Sequence, residues 1–341
     1  MRKPTAVAAF FFTALLAWAF ARADDAPAFP APSPDLRVQA WHGNALCYSG
    51  YRLGQTPKTE TYPSQAQVLE DLRIVERNWK LIRVYGSDRH SEDVLEVIRR
   101  EKLPIKVLLG IWLDGKLEEG NAKQLATGIR LANAYPDVVV AVNVGNEAFV
   151  SWSDHKMAEE RGLELVRQVK AAVRCPVTVA DDQLYWREPA AKLAAAVDFI
   201  AMHTYPVWGK HDIDEAMPVM IADFDRVRRA HPGKAIVITE AGWPSYTDNP
   251  QNAHRAGDET KQKRCYQELT AWARANAVTT FWFEGFDEPW KGEGTEGHWG
   301  LFTESRKAKP VMRDLYEDLL PEAPTSPVYD KAPETTKTVP R

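Results

Sequence analysis

Eight times between residues 40 and 320, a short apolar, β-rich run gives way to a stretch with helical spacing. The apolar runs are Ala40–Tyr48 (the least regular), Leu81–Tyr85, Ile105–Trp112, Val138–Val144, Val177–Ala180, Phe199–Tyr205, Ala235–Glu240 and Thr279–Glu284. Short buried runs bounded by turn residues read as parallel strands covered on both faces. The helical candidates are Ser64–Arg77, Ser91–Glu101, Ala122–Ala134, Lys156–Val173, Pro189–Ala196, Asp214–Ala230, Asp258–Asn276 and Lys309–Leu320. In the first of these, Ser64 occupies a capping position and Val68, Leu72 and Val75 fall on one face. Eight strand-then-helix units in series predict an α/β fold: a single closed (β/α)8 TIM barrel over residues 35–320, with its chemistry at the C-terminal ends of the strands. An open doubly wound sheet is the structural rival and would bind ligand at a switch point instead.

The ends of the chain read differently. Arg2 and Lys3, the apolar run Ala6–Phe20 and Ala21-Arg22-Ala23 follow the order of a secretory signal, so residues 1–23 are expected to be removed. The apolar run is short of the roughly 20 residues of a bilayer span. An uncleaved membrane anchor is the alternative. Export to the periplasm or the medium is the expectation. Residues 24–34 read as a flexible leader and 321–341 as a disordered Pro/Thr-rich tail. The net charge is −4, and loss of the signal removes only basic residues. An acidic chain lacks the basic face that nucleic acid requires. Cys47, Cys175 and Cys265 are too few and too scattered for a disulfide framework or a zinc site; the simplest reading is three buried small hydrophobes, with a single bridge as the alternative.

Two runs carry the chemistry: Val144-Gly-Asn-Glu147 and Ile238-Thr-Glu-Ala-Gly-Trp-Pro-Ser245. Each puts a glutamate where a strand should stop. Two carboxyl groups meeting at a barrel mouth suffice to break a glycosidic bond. The second run resembles the nucleophile signature of glycoside hydrolase family 17, the β-1,3-glucanase family. The first resembles its acid/base segment, in the order shared by the wider clan A of retaining glycosidases. Phe283-Glu-Gly-Phe-Asp-Glu-Pro-Trp-Lys291 and His298-Trp-Gly-Leu-Phe302 are similar to the family's last strand and loop, in its bacterial-type form.

The resemblance implies a retaining enzyme of β-1,3-glucan, working by hydrolysis or transglycosylation, with Glu240 as nucleophile and Glu147 as general acid/base. It implies sugar contacts for Tyr85 and Asn146, and substrate-holding or orienting positions for Glu288 and Lys291. It also makes Tyr205 a candidate hydroxyl donor to Glu240, as a strand-six tyrosine of the clan would be. Arg83 is expected to hold Glu240 or Glu284 ionised, or simply to pair with Glu284. His203 reads as a structural hydrogen-bonder, because two carboxyls already cover the proton transfers. Glu284, Asp287 and Glu288 are crowded, and each is as much a salt-bridge partner as a sugar contact. Asp181 and Asp182 face opposite ways and read as loop or rim residues. Gly292-Glu-Gly-Thr-Glu-Gly297 spells a dinucleotide fingerprint, but its glutamates would meet the pyrophosphate and no helix opens after it. Trp112, Trp152, Trp186, Trp208, Trp243, Trp290 and Trp299 fall at or beyond strand ends, where indoles can stack on sugar; Trp243 is the preferred contact. We expect a monomer that takes a β-glucan polysaccharide or oligosaccharide, with no nucleotide, metal or cofactor. The reading from another class is a non-catalytic β-glucan-binding or envelope protein on a barrel scaffold.

Overall fold

The computed structural model describes residues 44–188, 191–247 and 257–321. The expected signal, leader and tail, and the starts of the first strand run and of the helix expected at 189, lie outside the described residues. Eight parallel strands close on themselves in sequence order. They are β1 (Ala45–Cys47), β2 (Leu81–Arg83), β3 (Lys106–Ile111), β4 (Val139–Asn146), β5 (Val177–Asp182), β6 (Ile200–Thr204), β7 (Ile236–Ala241) and β8 (Thr280–Trp282). The helices are α1 (Gln65–Val75), α2 (Arg89–Arg100), α3 (Glu118–Ala134), α4 (Glu159–Ala172), the short α5 (Gln183–Trp186) and α6 (Leu193–Ala196), α7 (Ile213–Ala230) and α8 (Glu259–Ala275). The fold is a (β/α)8 barrel.

Local chemistry starts the helices where the pattern placed them. Ser64 caps α1 in a full capping box with Gln67, Asp88 accepts from Ser91 N at α2, and Asp258 accepts from Thr260 N and Lys261 N at α8. The stretch Lys309–Leu320 is not an α-helix. It forms two single 3-10 turns at Arg313–Leu315 and Glu317–Leu319. Tertiary contacts claim its side chains: Lys309 is buried against Asp287 at 2.7 Å, and Tyr316 packs on Trp79 and Phe302.

Parity organises the interior. Ala45, Cys47, Leu81, Leu108, Ala141, Ala180, Phe199, Ala201, Val237 and Phe281 fill the barrel, while a second, larger apolar layer lies between strands and helices. Above this plug the inner face turns polar with Arg83, Asn146, His203 and Glu240, all buried. Strict alternation from Val237 would bring Thr239, not Glu240, onto the inner face. Register shifts intervene near the mouth: between Asn143 and Asn146 on β4, Met202 and His203 on β6, and Ile238 and Ala241 on β7. Such irregularities re-aim side chains at a barrel rim. Asp181 and Asp182 belong to β5 rather than to a rim loop, and Asp181 is fully buried. No helix among the described residues is long and apolar enough to cross a membrane.

Candidate active site

Glu147 and Glu240 meet at the mouth of the barrel. Together with His203 they present three side-chain ligand atoms that all lie within 4.8 Å of one another. Gly145 takes φ +91° and Glu147 φ +47°, so β4 ends in a left-handed turn that a non-glycine residue adopts only under constraint. Glu147 N donates to Ala180 O of β5 at 2.9 Å, holding that turn. On β7 the glycine of the motif is required by crowding: a Cβ on Gly242 would stand 2.1 Å from the Phe283 carbonyl oxygen at the end of β8.

Glu240 is gripped from two sides. Arg83 Nη1 donates to its Oε1 at 2.5 Å, and Tyr205 donates its hydroxyl to Oε2 at 2.6 Å. Burial alone would push Glu240 upward. The neighbouring imidazole, the Arg83 guanidinium and the Tyr205 hydroxyl outweigh it and hold the carboxyl below its usual range. Arg83 is itself fully buried. Its other nitrogen, Nη2, donates to the Asn146 side-chain oxygen, and its guanidinium stacks 4.6 Å from the centre of the Tyr85 ring. Arg83 therefore chooses Glu240 over Glu284 and fixes Asn146 in the same act.

His203 bridges the two carboxyls. Its Nδ1 lies 2.8 Å from Glu147 Oε1 and 3.6 Å from Glu240 Oε2. Burial lowers the ring's affinity for a second proton, but the two carboxylates more than offset it and the pKa is raised. Arg83 Nη1 stands 3.4 Å from Nε2. A guanidinium nitrogen can only donate. When the ring is neutral, Nε2 is thus the acceptor and the single proton sits on Nδ1, donated to Glu147. Glu147, His203 and Glu240 are spaced as a divalent cation would need. A cation there would sit against Arg83, which already supplies the positive charge.

A cleft of about 2640 Å³ runs over this pair, lined by Tyr85, Asn146, Glu147, Tyr205, Glu240, Glu288 and Lys291 among others. Small-molecule pockets hold roughly 300–1,000 Å³. A space this large has room for several linked rings. Trp112, Trp152, Trp208, Trp290 and Trp299 line it. Trp243 does not. It is fully buried in the layer between barrel and helices, and its carbonyl accepts from Gln262 Nε2 at 3.0 Å. The bulged end of β7 that aims Glu240 into the mouth turns Trp243 away from it. Trp186 is likewise interior, donating to Ala201 O.

Glu284 is corrected as well. It is 1% exposed and outside the cleft wall, beneath Lys291, whose Nζ lies 3.2 Å from Glu284 and 2.5 Å from Glu288. Burial and the Glu288 charge push Glu284 well above the ordinary carboxyl range. Glu288 is drawn down despite its burial by Lys291 and the shared Glu284 bond. Asp287 is structural: it accepts from Lys309 Nζ at 2.7 Å and from Gly300 N at 3.0 Å, tying the β8 loop to the chain's last turns. Cys47 and Cys265 are buried thiols, and Cys175 is half-buried. The sequence reading did not find Tyr51, Tyr62, Asp88 or Glu296 in the cleft wall. Three come from loops and Glu296 from a single 3-10 turn at Thr295–Gly297, where neither period nor motif marks a side chain's direction.

The comparisons with known proteins fall in one region of enzyme space. The putative glucan endo-1,3-beta-glucosidase btgC of Aspergillus niger is 31% identical over 279 residues, covering 74% of this chain and 40% of that protein. The chain thus spans well under half the length of the first Aspergillus relatives it matches. The glucan 1,3-beta-glucosidase of Arthroderma benhamiae is 25% identical over 76% of this chain and 88% of its own. Among solved structures, an endo-laminarinase from Formosa Hel1_33_131 superposes with a TM-score of 0.74 at 28% identity, covering 82% of this chain and 89% of that one. A family 17 β-1,3-glucanosyltransferase from Rhizomucor miehei, at 22% identity and a TM-score of 0.67 over 80% and 97%, shares the fold. Residues 45–300 match the BtgE/BtgC glycoside hydrolase domain, and the chain belongs to that family.

Proposed function

We propose that this protein is an exported, retaining enzyme of β-1,3-glucan that works through a covalent glycosyl intermediate. The observation that carries the reading is the pair itself. Glu147 and Glu240 offer oxygens within 4.8 Å of each other, matching the roughly 5–5.5 Å of retaining enzymes rather than the 6.5–9.5 Å of inverting ones. Their unequal settings support unequal roles. Glu240, anchored by Arg83 and Tyr205, attacks the anomeric carbon as a carboxylate. Glu147, 18% exposed at its side chain and bonded through that side chain to His203, gives its proton to the departing glycosidic oxygen. The bond to the leaving sugar breaks as the Glu240 ester forms. Glu147, now a carboxylate, then takes the proton of the acceptor hydroxyl as that acceptor displaces Glu240. Asn146, fixed by Arg83, is positioned to bond the ring held at the nucleophile, where a contact to its 2-hydroxyl strengthens in the transition state.

Substrate class rests on the relatives, which are described as acting on β-1,3-glucan, and on the cleft's volume. The expectation of export rests on the N-terminal pattern at Arg2–Ala23. The acceptor is water in hydrolysis and a second glucan in transfer; the same two carboxyls serve both. Incubation with β-1,3-gluco-oligosaccharides of defined length, read by mass, tests the proposal. Shorter products mean hydrolysis and longer ones transfer, and either supports it. Unchanged oligosaccharides that nonetheless bind would replace it with the non-catalytic glucan-binding reading, against which the intact carboxyl pair argues.

A further inference from the structure

β5 contributes a carboxylate that the reaction scheme above leaves unused. Asp181 is fully buried at the end of that strand, one position after Ala180. Its Oδ2 accepts the backbone N–H of Phe149 at 2.8 Å, and its Oδ1 accepts that of Asp182 at 2.8 Å. Phe149 lies two residues past Glu147, in the turn where Glu147 is held at φ +47°. The same strand end takes the other side of that turn, through Ala180 O and Glu147 N. Two bonds from β5, one from backbone and one from a buried side chain, therefore bracket Glu147. Between them lies Ala148, fully buried, with no side-chain bond of its own to set the turn.

A carboxylate inside a barrel wall is costly to keep there. A serine or asparagine could accept one N–H at less cost. The groups facing Asp181 are Glu147 from the β4 turn, His203 from β6, Asp182 from its own strand and Tyr185 from α5. Arg83 points instead at Glu240 and Asn146. Among the described residues, no Lys or Arg forms an ion pair with Asp181. What it has are two main-chain N–H groups, one of them in the turn that aims Glu147. Burial pushes its carboxyl up to about 7, against the two backbone bonds that favour the ionised form.

We propose that Asp181 is a positioning residue for the acid/base: by anchoring Phe149 N it sets the left-handed turn that points Glu147 at the departing oxygen. This rests on the assignment of Glu147 as proton donor. A misaimed acid slows only those substrates whose leaving group needs a proton. Asp181→Asn keeps the shape and one acceptor but removes the charge that binds two N–H groups at once. Its expected signature is a loss of about 30-fold in kcat/KM on unactivated β-1,3-gluco-oligosaccharide with less than about threefold on a dinitrophenyl glycoside of the same sugar, whose leaving group departs unprotonated. Thr178→Val, on the same strand and facing Phe199 O, is the control for general damage to β5; it should change both substrates equally.

Glu147→Gln is measured alongside and should show the same selectivity, larger. If it does and Asp181→Asn does not, or if Asp181→Asn slows both substrates alike, the positioning role is overturned while the acid stands. If Glu147→Gln lacks the selectivity, the acid assignment fails, and the role of Asp181 with it. Should Asp181→Asn not fold, the unmutated protein decides: with 15N-phenylalanine, the Phe149 amide proton should lie downfield and follow an ionisation centred near 7. A Phe149 amide proton without that downfield position, which a 2.8 Å bond to a carboxylate requires, overturns the proposal.

Discussion

Two clusters near the barrel mouth use the same ingredients, two glutamates and one cation, and come out differently. At the ends of β4 and β7, Arg83 sits beneath the pair and holds one member, Glu240, leaving Glu147 facing the cleft. In the β8 loop, Lys291 sits between Glu284 and Glu288 and touches both, at 3.2 and 2.5 Å. One charge shared between two buried carboxyls draws one down and leaves the other to be raised, so that cluster is closed upon itself. One charge held against a single carboxyl leaves its neighbour facing the cleft. Reactivity here follows from where the cation stands, not from how many carboxyls there are.

The sharpest way to break the contrast is Glu240→Ala. With Glu240 as the proposed nucleophile, turnover of intact glucan should fall by about 10⁴-fold or more. Added azide should then yield a glycosyl azide of inverted configuration, read by NMR; a product of retained configuration would refute the nucleophile. Next in size is Arg83→Lys, which keeps the charge and loses the fork that also holds Asn146. We expect a loss of about 10–100-fold in kcat/KM. Its pH profile carries the sign. Glu240 is held below 4.5 in the folded protein, so its stabilising contribution is present above 4.5 and lost as pH falls through the lower folded value. With the grip loosened, burial dominates, and the acidic limb of kcat/KM should move to higher pH. A limb that stays in place would mean Arg83 does not set the ionisation.

Lys291→Met tests the closed cluster. It strands two buried carboxyls together and should cost about 3 kcal/mol of stability. Glu284 is already raised, and loss of the cation raises it further, so stability should be best retained at low pH and lost as pH rises past the raised value. Thermal melts between pH 5 and 8 measure this; a deficit that does not grow with pH would show that the pair is not coupled through Lys291. The smallest effect separates two indoles. Trp243→Phe should lower stability by about 1–2 kcal/mol without changing KM, because its side chain is core. Trp208→Ala should raise KM severalfold and leave the melt alone, because that ring is 39% exposed in the cleft. The reverse pattern would return Trp243 to the binding surface.

Much of this was legible in one dimension. The alternation of β and α runs dictated a barrel, because short buried strands joined by helices can cover both faces only in a few ways. The positions of Glu147 and Glu240 at strand ends, and of Tyr205 two residues beyond His203, followed from the same periods. Where periods failed, contacts across the fold had taken over. Lys309–Leu320 has helical spacing, yet the buried Lys309–Asp287 pair and the stacked Tyr316 leave it as single turns. Asp181 read as a loop or rim residue, since nothing nearby in sequence announces that Phe149 N needs an acceptor.

The order of elements, and with it the layout of the barrel, belongs to the sequence alone, because hydrophobic period and capping are local properties that each segment carries by itself. Which carboxyl Arg83 would take, which face Glu240 and Trp243 would show, and which glutamates would be sealed off were settled only in three dimensions. Those outcomes depend on register shifts between strands and on charges over a hundred residues apart competing for the same buried partner, and neither is written in any one segment.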